Sequence, residues 1–237
     1  MSQAALPTAV LFDLDDTLIT YGTAAERGWQ MLAGEYAGRC GLAADDLLDA
    51  IRRSSAAFWA DPARHRAERV NMFEARRKVI SAAVAGLAQA TEELVIEMAT
   101  RRTSLALDLL ELFPGALELV QRLHQHGVKL GMVTNGTASE QWHKIDRFGL
   151  RDFFGSIVVE GEFGRGKPDR EVFEHVLDRL DVAPGETWMV GDNLAMDIAP
   201  AQALGMFAVW HDWRTDGLPG NAPCTPDRVI ERIAELL

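Results

Sequence analysis

The chain has little of several things. Two of its 237 residues are cysteine, Cys40 and Cys224, far apart and in unrelated surroundings. That excludes a disulfide-framed extracellular scaffold and fits a reducing compartment, so a cytoplasmic location with two inert thiols is expected. No apolar run approaches the roughly 18 residues that read as a membrane span, and the mean hydropathy is -0.05. The N-terminus has no basic region before its apolar stretch, which Asp13 interrupts, so a signal peptide is not expected. Positive charge is scarce: 24 Lys and Arg stand against 35 Asp and Glu, a formal net charge of -11. That balance argues against nucleic acid or an anionic membrane surface as a partner. Lysine is the rarest cation, confined to Lys78, Lys129, Lys144 and Lys167, so each can be weighed singly.

What is there is ordinary globular text, 48% hydrophobic and 25% charged, with one pointed feature near its start. The run Ala9-Val10-Leu11-Phe12 ends abruptly in Asp13-Leu14-Asp15-Asp16-Thr17-Leu18. A short run that is apolar on both faces reads as a buried parallel strand. Side chains alternate along a strand, so Asp13 and Asp15 point one way and Leu14 the other. Two acids therefore sit side by side at the carboxyl end of a strand, the edge where open α/β sheets bind ligands. Clustered carboxylates repel, so a cation or a shared proton is needed to hold them together.

Two kinds of text follow. From about residue 23 to 110 the chain is amphipathic helix former, with helices predicted near 23–39, 44–59, 64–86 and 91–110. After Pro114-Gly115, strands and helices alternate: helix 115–126, strand 128–134, helix 138–148, strand 156–159, helix 169–180, strand 187–190, helix 195–204, strand 207–210, and a last helix opening at Thr225-Pro226. That rhythm predicts a doubly wound, Rossmann-like parallel sheet, α/β in class, with an inserted all-helical domain. The expected boundaries are residues 1–18 and 112–237 for the α/β core and 19–111 for the helical cap. A cap hung on two linkers beside the ligand edge would act as a lid.

Each core strand ends in polar residues: Thr134-Asn135-Gly136, then Gly164-Arg165-Gly166-Lys167-Pro168-Asp169, then Gly191-Asp192-Asn193 with Asp197 beyond. Singly, each is a helix cap or a turn. In a parallel sheet all of them reach one edge and can meet Asp13 and Asp15. Four carboxylates with one lysine and one threonine suit a phosphoester. A hard cation such as Mg²⁺ takes carboxylate, carbonyl, water and phosphate oxygens. Asp13, the Asp15 carbonyl and Asp192 can supply the protein's share, while Lys167 and Thr134 bind phosphoryl oxygens. One carboxylate is then available as a nucleophile and another as a proton carrier.

With these four motifs in order, the chain resembles the haloacid dehalogenase-like hydrolase superfamily. Its helical insert is similar in position to the C1-type cap of the phosphatase branch, which includes phosphoglycolate, nucleoside-monophosphate and acylneuraminate phosphatases. The resemblance implies that Asp13 is the nucleophile forming an aspartyl-phosphate. It implies that Asp15 is the general acid and then the base. It gives Thr134, Asn135 and Lys167 the phosphoryl group, Asp13, Asp15 and Asp192 a Mg²⁺ ion, and Asp197 the task of orienting metal-bound water or Lys167. The expected activity is a Mg²⁺-dependent phosphatase of a small phosphorylated metabolite.

Four other readings compete. The metal-independent dehalogenases that the chain resembles carry tyrosine where it has Asp15, and carbon–halogen cleavage needs no proton for an alcohol. A sugar-phosphate mutase shares the core motifs but needs cap residues that the sequence does not reveal. Gly161 to Lys167 has the glycine and lysine spacing of a P-loop, yet Pro168 stands where the magnesium-binding hydroxyl belongs. A non-catalytic binding module on the same core conflicts with the intact acid and lysine set. The cap's basic clusters, Arg52-Arg53, Arg64-His65-Arg66, Arg69 and Arg76-Arg77-Lys78, read first as solvated helix faces and second as an anion site. His211, just past the last core strand, reads as structural or solvated before it reads as a rim residue of the site.

Overall fold

The structure is a computed structural model and describes residues 6–237. Strand β1 (Ala9–Phe12) is wholly buried. It is followed by five helices, α1 (Tyr21–Cys40), α2 (Ala44–Trp59), α3 (Pro62–Glu68), α4 (Met72–Ala83) and α5 (Glu92–Asp108). The chain continues through α6 (Ala116–Gln125), β2 (Lys129–Thr134), α7 (Ala138–Arg147), β3 (Ser156–Val159), α8 (Glu160–Phe163), α9 (Arg170–Leu180), β4 (Thr187–Gly191), α10 (Ala199–Ala203), β5 (Phe207–His211) and β6 (Arg228–Ile230). The six strands form one sheet in the order β3-β2-β1-β4-β5-β6, and every neighbouring pair is parallel. This is the α/β, Rossmann-like architecture that the alternating text predicts. Among the described residues no helix is long and apolar enough to cross a membrane.

The chain divides into two compact units, Met1–Thr20 with Glu111–Leu237, and Tyr21–Leu110. In the α/β unit, Leu11, Val133, Phe173, Val176, Met189 and Ala208 pack into one buried cluster between sheet and helices. The helical unit has its own core, in which Leu32, Leu47, Ile51, Ile80 and Met98 are completely buried. Each unit thus satisfies its apolar faces internally, as amphipathic elements must.

Three expectations need correction. The helix predicted over 64–86 is two helices. Asp61 caps the first, accepting from the Ala63 and Arg64 amides with Pro62 at its opening turn, and the Asn71 carboxamide accepts from Glu74 N to start the second. Asn competes for backbone donors and so favours a cap over a helix interior. The helix predicted at 195–204 opens as a π-helical turn, Leu194–Ile198, and becomes α-helical only at Ala199. The last helix is absent: after Thr225-Pro226 the chain forms β6, which pairs with β5 at the sheet edge, and then a 3₁₀ turn at Ile233–Leu236.

Candidate active site

The site begins with strand register. Phe12, the last residue of β1, pairs with Met132 on one side and Val190 on the other, so β2 and β4 run only to Thr134 and Gly191 beyond it and the three central strands finish close to one another. The Asp13 amide continues the ladder by one bond, donating to Val190 O at 2.9 Å. The residues that follow each strand are thereby delivered to one edge.

Asp13 lies 6% exposed and meets Lys167, itself 3% exposed, with Nζ 2.5 Å from Oδ1. The same ammonium stands 2.6 Å from Oδ1 of the fully buried Asp197. Asp197 is also tied to the end of β4, its Oδ2 accepting from Asn193 N at 2.9 Å. Its carboxylate packs so close to Gly191 that a Cβ there would fall 2.4 Å from Asp197 Cγ, so only glycine fits. Asp192, the residue after Gly191, completes the group. Carboxylate oxygens of Asp13, Asp192 and Asp197 all lie within 4.8 Å of one another.

The electrostatics of this group are unbalanced. Three carboxylates face one ammonium. Burial, opposed by Lys167 and assisted by Asp197, pushes the Asp13 carboxyl up to about 7. Burial and the neighbouring Asp13 push Asp192 up to about 9. Burial works against the Lys167 ammonium, but the charges of Asp13 and Asp197 outweigh it and hold lysine protonation above its ordinary range. Such a cluster holds protons because it lacks positive charge, and a divalent cation with oxygen preference fits the deficit.

Asp15 has a different set of partners. Its carboxylate lies along α7, where Lys144 Nζ donates to both oxygens at 2.9 and 2.8 Å. Gln141 Nε2 donates to Asp15 Oδ2 at 3.1 Å and to the Thr134 hydroxyl at 2.5 Å. Gln141 Oε1 in turn accepts from Lys144 at 2.6 Å. Helix α7 is started by Thr137, whose hydroxyl accepts from Glu140 N, and it buries Gln141, Lys144 and Ile145. These are the i, i+3 and i+4 positions of one face. Gln141 and Lys144 belong to no motif that the strand ends define. The available signal was a scarce lysine three residues after a glutamine, on the first helix after the Thr134 strand end.

Asn135 uses both ends of its amide on the backbone of Lys167, donating to Lys167 O at 2.9 Å and accepting from Lys167 N at 2.8 Å. It therefore fastens the lysine loop to the end of β2. The segment with P-loop spacing does not form a phosphate cradle, because Glu160–Phe163 is a helical turn and Lys167 is turned into the aspartate group. His211 is buried, its Nδ1 at 3.2 Å from the Asp16 carbonyl and its ring edge-on to Phe113. In the helical unit Arg52 pairs with Glu26, Arg77 with Glu74 and Glu92, and Lys78 with Glu68, as solvated faces do. Arg69 and Arg76 are instead buried, Arg76 donating to the Thr103 hydroxyl at 3.2 Å.

Comparison with known proteins identifies the family. The family model of the haloacid dehalogenase-like hydrolases matches residues 7–205. The glyceraldehyde 3-phosphate phosphatase of Methanopyrus kandleri is 32% identical over 236 residues, covering 97% of this chain and 95% of the relative. The protein of the same name in Methanocaldococcus jannaschii is 40% identical over 101 residues, but the match spans only 43% of this chain and 44% of that relative. Among solved structures, the HAD-hydrolase YfnB from Bacillus subtilis, bound to magnesium, superposes with a TM-score of 0.76 at 22% identity, covering 98% of this chain and 97% of that one. A model spanning most of the sequence and a relative aligned nearly end to end lead to one assignment: the chain belongs to the haloacid dehalogenase-like hydrolase family.

Proposed function

We propose that the protein is a phosphatase acting on a small phosphomonoester through a covalent intermediate on Asp13. The observation that carries this reading is the buried group of Asp13, Lys167 and Asp197 with Asp192 beside it, at the edge where Thr134 and Asp15 also end. An Asp13 oxygen attacks phosphorus while the bond to the leaving alcohol oxygen breaks, and Asp15 gives that oxygen a proton. Lys167 and the Thr134 hydroxyl hold the other phosphoryl oxygens as negative charge shifts onto them. Asp15, now a carboxylate, takes a proton from water as it attacks the phosphoaspartyl group, which releases inorganic phosphate and restores Asp13. A Mg²⁺ ion held by Asp13, the Asp15 carbonyl and Asp192 would supply charge that lets an anionic substrate approach these carboxylates. The relatives named as phosphatases of glyceraldehyde 3-phosphate support a small phosphorylated metabolite as the substrate.

The test is phosphate release from 4-nitrophenyl phosphate and from a panel of metabolite phosphates that includes glyceraldehyde 3-phosphate and phosphoserine. Turnover is expected with Mg²⁺ and is expected to stop with EDTA. Asp13→Asn is expected to fall to background while its circular dichroism and unfolding midpoint stay native. Full activity in that variant would sink the nucleophile assignment. Metal-free turnover of a 2-haloacid, or isomerisation of a sugar phosphate without phosphate release, would replace the phosphatase reading by another.

A further inference from the structure

Two buried side chains at the site have no part in the reaction just described. Lys144 is 2% exposed and Gln141 is 2% exposed. Taking an ammonium out of water is costly unless it is paired and hydrogen-bonded. Lys144 meets that cost with Asp15, touching both carboxylate oxygens, and with Gln141. A purely structural position of this size would be served as well by an apolar residue, since buried ion pairs are weak sources of stability. The partner here is an acid at the mouth of the site, with 24% of its side chain exposed. Gln141 adds the geometry: one amide nitrogen reaches both the Asp15 carboxylate and the Thr134 hydroxyl. A rotation of Asp15 therefore has to break contacts that also register Thr134.

We infer that Lys144, oriented by Gln141, is a positioning residue that fixes the direction in which Asp15 presents its carboxyl oxygens to the leaving group. The inference rests on the reading of Asp15 as the proton donor. Removing the clamp deletes no member of the nucleophile group, in which Lys167 pairs with Asp13 and Asp197 while Lys144 pairs with Asp15. The defect should then appear only where a proton has to be delivered. An alkoxide needs a proton to leave, whereas 4-nitrophenolate leaves without one.

The experiment compares kcat/KM, which reports the steps through phosphoryl transfer to Asp13, on 4-nitrophenyl phosphate and on the fastest alkyl phosphate of the metabolite panel. Lys144→Met is expected to lose about 100-fold on the alkyl phosphate, the scale of one general acid, and at most a few-fold on the aryl phosphate. Lys144→Arg, which keeps the cation, is expected to recover most of the alkyl rate. Gln141→Met, which leaves the ammonium paired with Asp15, is expected to give a smaller split in the same direction and covers the case in which Lys144→Met does not fold. Equal losses on both substrates, or no loss on the alkyl phosphate, would overturn the positioning role. Asp15→Asn, measured alongside, separates the two layers. If it shows no alkyl-over-aryl split, the proton-donor reading fails and the clamp falls with it; if it shows the split and the Lys144 variants do not, only the clamp fails.

Discussion

His211 illustrates how one buried side chain can be read as a pH effect. Burial is the main influence on its imidazole and pulls its protonation below the ordinary value of 6.5; the bond to the Asp16 carbonyl and the nearby charges of Asp212 and Glu235 oppose this without cancelling it. The folded protein therefore keeps the ring neutral in a range where the unfolded chain has already taken a proton. In that window the unfolded state binds more protons, so stability rises with pH across it; the contribution is complete above about 6.5 and is lost as pH falls from there toward the lower value of the folded state. His211→Asn keeps a donor on the Asp16 side and cannot titrate. Its urea midpoint is expected to fall less than the native protein's between pH 7 and pH 5, although it starts lower at pH 7. Parallel curves would show that His211 titrates normally in the fold. Asp16 itself has φ of 58°, a left-handed conformation that costs a non-glycine residue about 1–2 kcal/mol, and the His211 contact helps hold its carbonyl in place.

At this scale the sequence exposed some residues and hid others for a physical reason. Asp13 and Asp192 sit directly at strand ends, so strand phase alone carries them to the ligand edge, and Lys167 was legible from its Gly-Lys-Pro-Asp text eight residues past β3. Gln141 and Lys144 act from the side of a helix, where the same spacing describes any half-buried face. Their contact with Asp15 crosses 126 and 129 residues of chain, and no local pattern encodes a separation that long. Asn135 was visible at a strand end, but that both ends of its amide lie on the Lys167 backbone required the fold of the lysine loop.

Among the elements, the seat of α9 on β2 is set by an absent side chain. A Cβ on Gly131 would stand 2.4 Å from Val176 Cγ1 and 3.1 Å from Leu180 Cδ1, with Leu11 on its other flank. Helix α9 approaches the strand closely only because that space is empty. Gly131→Ala is expected to destabilise the α/β unit by about 1–3 kcal/mol through overpacking, and a urea titration reads it directly. The same change at Gly34, inside α1, meets nothing within 4 Å and is expected to stabilise the helical unit by up to about 1 kcal/mol, through helix propensity and a less flexible unfolded chain. Opposite signs from one chemical change would separate packing from propensity. The strands that bury both faces were legible as apolar runs. Strand β6 was not: it is three residues long, with an exposed valine on the sheet edge, and it follows a Thr-Pro pair that equally suits a helix start. The break between α3 and α4 was missed because helical spacing continues on either side of Asn71, and only its capping geometry interrupts the helix.

For the molecule as a whole, the chain leaves and re-enters the α/β unit at adjacent points. Ile19 bridges Leu112 in antiparallel fashion, Thr20 N donates to Glu111 O at 2.8 Å, and Phe113 N donates to Leu18 O at 2.9 Å. Ninety residues, Tyr21–Leu110, are thus inserted between two hydrogen-bonded neighbours. The inserted residues close their own apolar core, and Asp13, Asp15, Thr134, Lys144, Lys167, Asp192 and Asp197 all belong to the other unit. A chain that joins Thr20 to Glu111 through a short Gly-Ser linker is therefore expected to fold, since closing so short a loop between paired ends costs little entropy. It should unfold in one cooperative transition and retain the carboxylate cluster. Adding Mg²⁺ to EDTA-treated protein should raise its midpoint, by an amount equivalent to about 2.7 kcal/mol at a hundredfold excess over the dissociation constant. Asp192→Asn should remove most of that gain, while Lys144→Met should leave it in place, because the clamp lies outside the carboxylate group. An aggregated or molten product would mean that the α/β unit needs the helical one to fold; a folded product without a metal-dependent shift would mean that the carboxylates are balanced by protons and Lys167 alone.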